Sequence, residues 1–357
     1  VCFVMSTLGL VLVIGVGGSN QGARGAIEAL KPEGGVSLVW AGNTLSSFES
    51  ARTLAALEGH TFAIDVVAKN FETLEPGLAF RLFRSELERR YGAGASRYIY
   101  VTGTPGSHLE ELARAHGYAF LEFPSPVGGR YSMFSDVGLL PMAAGGIDVR
   151  TMVEGAREMA GFLQHDHSPD NLALRYAVAR NLLSQRGFEL EMLTFFEPRF
   201  DYFARWWRQL LAESEGKEGK GLFPVASSNS EDLHSIGQYV QEGKKILFET
   251  FLRLGECGGP ELRLAPDEVD DRFGYLDGKR VSEVNKASEA ATLKAHSAKF
   301  PCLVFDVPVF DAYQYGALSY FFLFATYLSG SILGINPFDQ EGVEAYKRWM
   351  FQALGKC

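Results

Sequence analysis

One feature constrains this sequence more than any other: the hydrophobic period changes repeatedly along it. Apolar, β-rich runs occur at Leu10–Val16, Val36–Ala41, Phe62–Val67, Tyr98–Val101 and Ala119–Phe123. Between them, Gln21–Leu30, Ser46–Leu57, Glu75–Tyr91 and Leu109–His116 carry helical spacing. A strand, a helix and another strand in that order make a crossover, and crossovers build parallel sheets covered by helices on both faces. Met152–Leu163 and Asn171–Arg186 then read as helices, the second opened by Pro169 and Asp170. A second alternating region follows. Its expected strands lie near Glu189–Phe196, Leu222–Val225, Ile246–Leu254 and Cys302–Val307. Its expected helices lie near Phe203–Leu211, Asp232–Gln241, Val281–His296, Ala312–Leu328 and Gly342–Leu354. The turn-rich segment Glu256–Gly278 reads as a surface excursion. The expected fold is α/β: two doubly wound parallel-sheet domains, residues 1–146 and 147–357. Ligands would sit at the carboxyl ends of the strands.

With 357 residues, 46% of them hydrophobic, the chain has enough apolar surface for a sizeable core, which excludes intrinsic disorder. A net charge of -9 and a pI near 5.4 argue against a nucleic-acid partner, which needs a basic face. An anionic ligand must therefore be held by a local basic pocket. Cys2, Cys257, Cys302 and Cys357 form no CxxC pair and no metal spacing, so a reducing, cytoplasmic setting is expected and no metal. The apolar start, Val1 to Val16, lacks a basic leader and reads as a buried strand rather than a signal peptide. The apolar run from Tyr320 to Leu333 contains Ser and Gly and is expected to be too short to span a bilayer, so no membrane partner is expected either.

Several segments could carry chemistry. Gly15-Val16-Gly17-Gly18-Ser19 ends a strand just before a helix, where backbone amides can cradle an anion or simply make a turn. The third glycine of a dinucleotide fingerprint would fall at Asn20, which argues against a nicotinamide-dependent dehydrogenase. Ala68-Lys69-Asn70-Phe71-Glu72-Thr73 also links a strand to a helix. There Lys69 and Thr73 suit an anion and Glu72 opposes one. Gly128-Gly129-Arg130 frees the backbone around an arginine, which is always charged and suits an oxyanion. Glu213, at the end of a Trp-rich helix, is a candidate general base, although charged Gly-rich segments such as 213–220 are commonly just solvated. His234 is expected early in a helix with Gln238 one turn on. His165-Asp166-His167 is too weak a pattern for a metal site. Asp339 or Gln340 is expected to cap a last helix that carries Lys347.

Taken together and in order, VIGVGGS, AGNTLSS, VGGRYSMFSDVGLLP, ESEGKEGKGLFP, DLHSIGQYVQEG and LGINPFDQEGVEAYK resemble the phosphoglucose isomerase family of bacterial type, from Val13 to Lys356. The resemblance implies two sugar-isomerase (SIS-type) α/β/α sandwiches, a homodimer and no cofactor. It implies an aldose–ketose exchange between glucose 6-phosphate and fructose 6-phosphate through a cis-enediol, in glycolysis and gluconeogenesis. Glu213 matches the family's base and Arg130 the residue that steadies the enediolate. His234, from the neighbouring subunit, and Lys347 match groups linked to ring opening. Gln340 matches a polar contact in the pocket. Gly17, Gly18 and Ser19 match the first sugar-phosphate loop, and Lys69 and Thr73 fall in the second. The second loop departs from the family's Ser-Lys-Ser/Thr-x-Thr-Thr, with Ala68, Asn70 and Glu72 in place of hydroxyl residues. That departure defines the alternative reading, an isomerase paralogue that binds a sugar weakly or without turnover. The family also carries more helical sequence before its first strand than this chain does.

Overall fold

A computed structural model describes residues 8–256 and 258–355. Cys2, Cys257 and Cys357 lie outside the described residues, as do residues 1–7 of the apolar start. The first sheet contains β1 (Leu10–Ile14), β2 (Ser37–Ala41), β3 (Phe62–Val67), β4 (Ile99–Gly103) and β5 (Ala119–Glu122), in the order β2-β1-β3-β4-β5. Its crossovers are α1 (Gly18–Leu30), α2 (Ser47–Ala56), α3 (Leu74–Tyr91) and α4 (His108–His116). Three helices come next: α5 (Asp136–Ala144), α6 (Val149–His165) and α7 (Leu172–Gln185). The second sheet contains β6 (Leu190–Phe195), β7 (Phe223–Ser228), β8 (Leu247–Glu256) and β9 (Cys302–Val309), in the order β7-β6-β8-β9. Its crossovers contain α8 (Asp201–Glu215), α9 (Gly237–Glu242) and α10 (Val281–Ser297), and α11 (Ala312–Leu333) and α12 (Glu344–Ala353) end the fold.

Every strand pair in both sheets is parallel. Helices cover both faces, so β1 and β3 are buried along their whole length; β1 is apolar throughout, and β3 is apolar apart from Asp65. The largest apolar cluster does not respect the halves of the chain. It joins Ala23 and Ala26 of α1 and Met142 of α5 to Trp206 and Trp207 of α8 and Phe322 of α11. Helix-on-helix packing thus ties the elements of one sheet to those of the other.

The structure corrects several expectations. α5 has no counterpart in the periodicity reading, because it is buried on nearly every side and so has no polar stripe to mark it. Asn171, not Pro169 or Asp170, caps α7, its side chain accepting from the Leu174 amide at 3.1 Å. The helix expected at Asp232–Gln241 splits into a 3-10 turn, Glu231–His234, and α9. The Asp232 carboxylate accepts from the Ser228 amide and the Ser235 hydroxyl, which holds the chain in a turn there. His234 and Gln238 therefore do not share a helix face. The last helix likewise opens as a 3-10 turn, Glu341–Val343, and neither Asp339 nor Gln340 caps it. α11 has 22 residues, so it is long and apolar enough to cross a bilayer, contrary to the expected shortness of that run. It begins at Ala312, ahead of the strongest apolar stretch, and buries Tyr315, Leu318, Phe322 and Ala325 against α6, α7 and α8.

Candidate active site

Sheet order fixes where the loops converge. In the order 2-1-3-4-5, crossovers leave β1 and β3 on opposite faces, and a crevice opens at their carboxyl ends. Gly17 and Gly18 follow β1, the segment Ala68–Thr73 follows β3, and Gly128–Arg130 follows β5. Gly17 has φ 57°, in the left-handed region, and a Cβ there would lie 2.9 Å from Gln209 Nε2. Gly18 opens α1, and a Cβ there would lie 2.0 Å from the Gly129 carbonyl carbon. The two glycines let the first loop approach the Gln209 side chain of α8 and the backbone of the Gly-Gly-Arg loop. α1 carries no acidic residue in its first turn, so its positive end is available to an anion near Ser19. Gly18→Ala is expected to push these loops apart, destabilising the fold by about 1–3 kcal/mol and lowering turnover. A urea midpoint and turnover both equal to wild type would show that the contact is dispensable.

Arg130 is not a surface arginine; it is buried, and all five of its N–H donors have acceptors. Nε donates to Ser214 Oγ at 2.8 Å, and Nη1 donates to Gln340 Oε1 at 2.7 Å and to Glu213 Oε2 at 3.2 Å. Nη2 donates to the carbonyls of Pro337 at 2.7 Å and Asp339 at 2.9 Å. The Trp206 indole holds the Arg130 carbonyl at 3.0 Å. The Tyr131 hydroxyl lies 3.0 Å from Ser214 Oγ, and burial pushes its pKa up, so it remains a neutral donor.

Glu213 reaches this arginine because of the pattern of α8. Phe203, Trp206, Trp207, Leu210 and Leu211 form its buried face, which leaves Gln209 and Glu213 one turn apart on another. Gln209 Nε2 donates to Glu213 Oε1 at 3.1 Å. The carboxylate is held by Gln209 on one oxygen and Arg130 on the other, yet its side chain keeps 32% exposure. A carboxylate so oriented and still partly exposed can accept a proton from a bound carbon acid. The four-residue spacing from Glu213 is the signal that would have found Gln209, which the sequence reading missed.

The charged segment after Glu213 is not simply solvated, because Ser214 and Glu215 are buried. Lys217 pairs with Asp339 at 2.7 Å, and this ammonium holds the Asp339 carboxyl below its usual range. Lys220 donates to the Leu333 carbonyl at 3.1 Å. These lysines pin the segment between α11 and α12, which delivers Gln340 to Arg130.

Not every expected residue joins the cluster. Lys69 donates to the Val127 carbonyl at 3.2 Å, beside the Gly-Gly-Arg loop. Thr73 precedes α3 and its side chain makes no capping bond; Glu72 is exposed. Lys347 pairs with Glu344 at 2.6 Å on α12. His234 is exposed and follows the carboxyl end of β7, whereas Glu213 lies in the last turn of α8, on the amino side of that strand. β7, six residues long and so about 20 Å from end to end at 3.3 Å per residue, lies between them in the chain. The cluster therefore faces the carboxyl edge of the first sheet and the amino edge of the second, so the expectation of carboxyl ends throughout holds for one sheet only.

Residues 3–241 match the family model described as phosphoglucose isomerase. The glucose-6-phosphate isomerase of Clostridioides difficile strain 630 is 42% identical over 367 residues, a match covering 99% of this chain and 82% of that protein. That of Bacillus cytotoxicus is 44% identical over 361 residues, covering 97% of this chain and 80% of the relative. A crystal structure of a glucose-6-phosphate isomerase from Chlamydia trachomatis shares the fold, with a TM-score of 0.84 at 20% identity over 99% of this chain and 71% of that one.

Proposed function

The chain belongs to the phosphoglucose isomerase family and interconverts glucose 6-phosphate and fructose 6-phosphate, and we propose that the cluster around Glu213 carries this reaction. One observation supports the assignment above others. A carboxylate oriented by Gln209 and Arg130 remains open on its third side, within reach of loops suited to a phosphate. Glu213 removes the proton from C2 of the open sugar and returns it to C1 through a cis-enediol. Nη1 of Arg130, whose bond to Glu213 is the longest of the five that its guanidinium makes, faces the charge that develops on the enediolate oxygens. Gly17, Gly18 and Ser19, with Lys69 and Thr73, take the phosphate. Glu72 is exposed, where solvent and salt screen its charge, so the altered loop is compatible with that role. Gln340 orients the sugar hydroxyls, and Lys347 assists ring opening. Dividing the chain at residues 146 and 147 puts Arg130 in the first unit and Glu213 in the second, with the cleft between them. A cytoplasmic setting rests on cysteine usage alone.

The placement of His234 supports a homodimer. Beyond the opposite end of β7 from its own Glu213, this imidazole serves the cleft of a second copy, where it opens the sugar ring. Coupled to a dehydrogenase that reads glucose 6-phosphate, the purified chain is expected to turn over fructose 6-phosphate. Mixing inactive Glu213→Gln and His234→Ala chains under exchange conditions is then expected to restore about a quarter of wild-type activity, the statistical share of intact sites in randomly mixed dimers. No recovery, with exchange verified by mass, would place both groups in one chain's site and overturn the shared-site assignment.

A further inference from the structure

The last three residues of α8 are each held by a buried arginine. Arg130 takes Glu213 and Ser214. Arg180 of α7, 1% exposed, takes Glu215 through Nη1 to Oε1 at 2.5 Å. Arg180 is itself held on other sides. Its Nε donates to Glu191 Oε2 of β6 at 2.5 Å and its Nη1 to Ser329 Oγ of α11 at 3.0 Å. Glu191 also accepts from the Tyr176 hydroxyl, and from Thr250 Oγ1 of β8 at 2.6 Å. Burial alone would lower the pKa of Arg180, but Glu191 and Glu215 more than offset it, so the guanidinium stays charged.

A buried ion triad of this kind adds little net stability over apolar packing of the same shape, so stability is a weak reason for its presence. Its geometric effect is direct. Residues two apart on a helix lie about 200° apart around the axis, so whatever fixes Glu215 also fixes the opposite azimuth, that of Glu213. The backbone leaves no slack at this point, because a Cβ on Gly221 would lie 2.5 Å from the Glu215 carbonyl oxygen. We infer that Arg180 is a positioning residue for the isomerisation: through Glu215 it ties the last turn of α8 to the second sheet and to α11, and so aims Glu213 at the substrate carbons. This rests on the reading of Glu213 given above.

The test is steady-state isomerisation of fructose 6-phosphate by the full chain as wild type, Glu213→Gln and Glu215→Gln. Glu215→Gln keeps shape and an acceptor but removes the charge that grips Arg180. Its kcat is expected to fall about tenfold or more with KM within about twofold of wild type, the signature of a misaimed base rather than a damaged binding site. A kcat within about twofold of wild type overturns the inference. Should Glu215→Gln fail to fold, Ser329→Ala removes the hydroxyl that accepts from Arg180 Nη1 and from Asn181 Nδ2 while leaving both ion pairs of Arg180, and is expected to lower kcat several-fold at constant KM; an unchanged kcat there also overturns it. An inactive wild type, or a fully active Glu213→Gln, sinks the isomerase reading and this inference with it. An active wild type, an inactive Glu213→Gln and a silent Glu215→Gln sink the inference alone.

Discussion

Glu213→Gln is expected to lower kcat by about 10²–10⁴-fold, the usual contribution of a positioned general base, with KM near wild type. The amide keeps the size of the side chain and can still meet Arg130, but it cannot take a proton from carbon. Fold stability should barely change, because the carboxylate is 32% exposed and fills no core volume. The measurement pairs the coupled assay with a thermal unfolding curve. Retention of most of the activity would mean that another group is the base, and Glu213 would then be only a partner of Arg130. A large loss of both activity and melting temperature would instead mark the carboxylate as structural.

The second large effect concerns Asp65, in the middle of β3. It sits between Val13 and Tyr100 in the register of the first sheet, with 0% exposure. Neither carboxylate oxygen has a hydrogen-bond partner among the described residues. Burial alone pushes its pKa up to about 7. A carboxyl group whose folded pKa exceeds its unfolded value binds a proton more tightly in the native state. Its protonated form is tolerated at low pH, and stability is lost as pH rises from about 4 to about 7, then levels off. The full difference, at 1.36 kcal/mol per unit, is on the order of 4 kcal/mol. Asp65→Asn is therefore expected to be more stable than wild type above neutrality, with the gap shrinking toward pH 4. Urea unfolding at pH 5 and pH 8 checks it, and an equal difference at both values would show that Asp65 has a partner or a counter-charge. Because β3 runs directly into the loop assigned to phosphate, relief of this desolvation cost should also be read in KM.

Much of the fold was legible in the sequence for one reason: a parallel strand covered on both faces is mostly apolar, so the central strands stand out as short apolar runs even where one buried polar residue, such as Asp65, interrupts them. The strand expected at Phe62–Val67 is β3 to the residue. α5 was invisible on the same grounds, since a helix buried all round has no stripe. α9 and the 3-10 turn before it were merged into one helix because turn-forming side-chain bonds, such as those of Asp232, leave no periodic trace.

The candidate site divides in the same way. Glu213, Arg130, Gln340, His234 and Lys347 were named from motifs, and Gly17 and Gly18 from a strand-to-helix turn. What motifs could not show is which of them meet. Glu213, Arg130 and Gln340 converge because Lys217 and Lys220 pin the chain after α11 against the end of α8. His234 follows the opposite end of β7 from Glu213. Gln209 carried only its four-residue spacing from Glu213, and Arg180 no signal at all; both matter through what they touch.

Sequence by itself determined the alternating βα order, the parallel sheets and the residue types available for proton transfer, since these depend on local period and side-chain chemistry. Only the tertiary structure decided that the cluster around Arg130 joins the carboxyl edge of one sheet to the amino edge of the other, and which charges lie within bonding distance there. Those distances are set by contacts between residues hundreds of positions apart, such as Arg130 with Gln340, and nothing local in the chain encodes them.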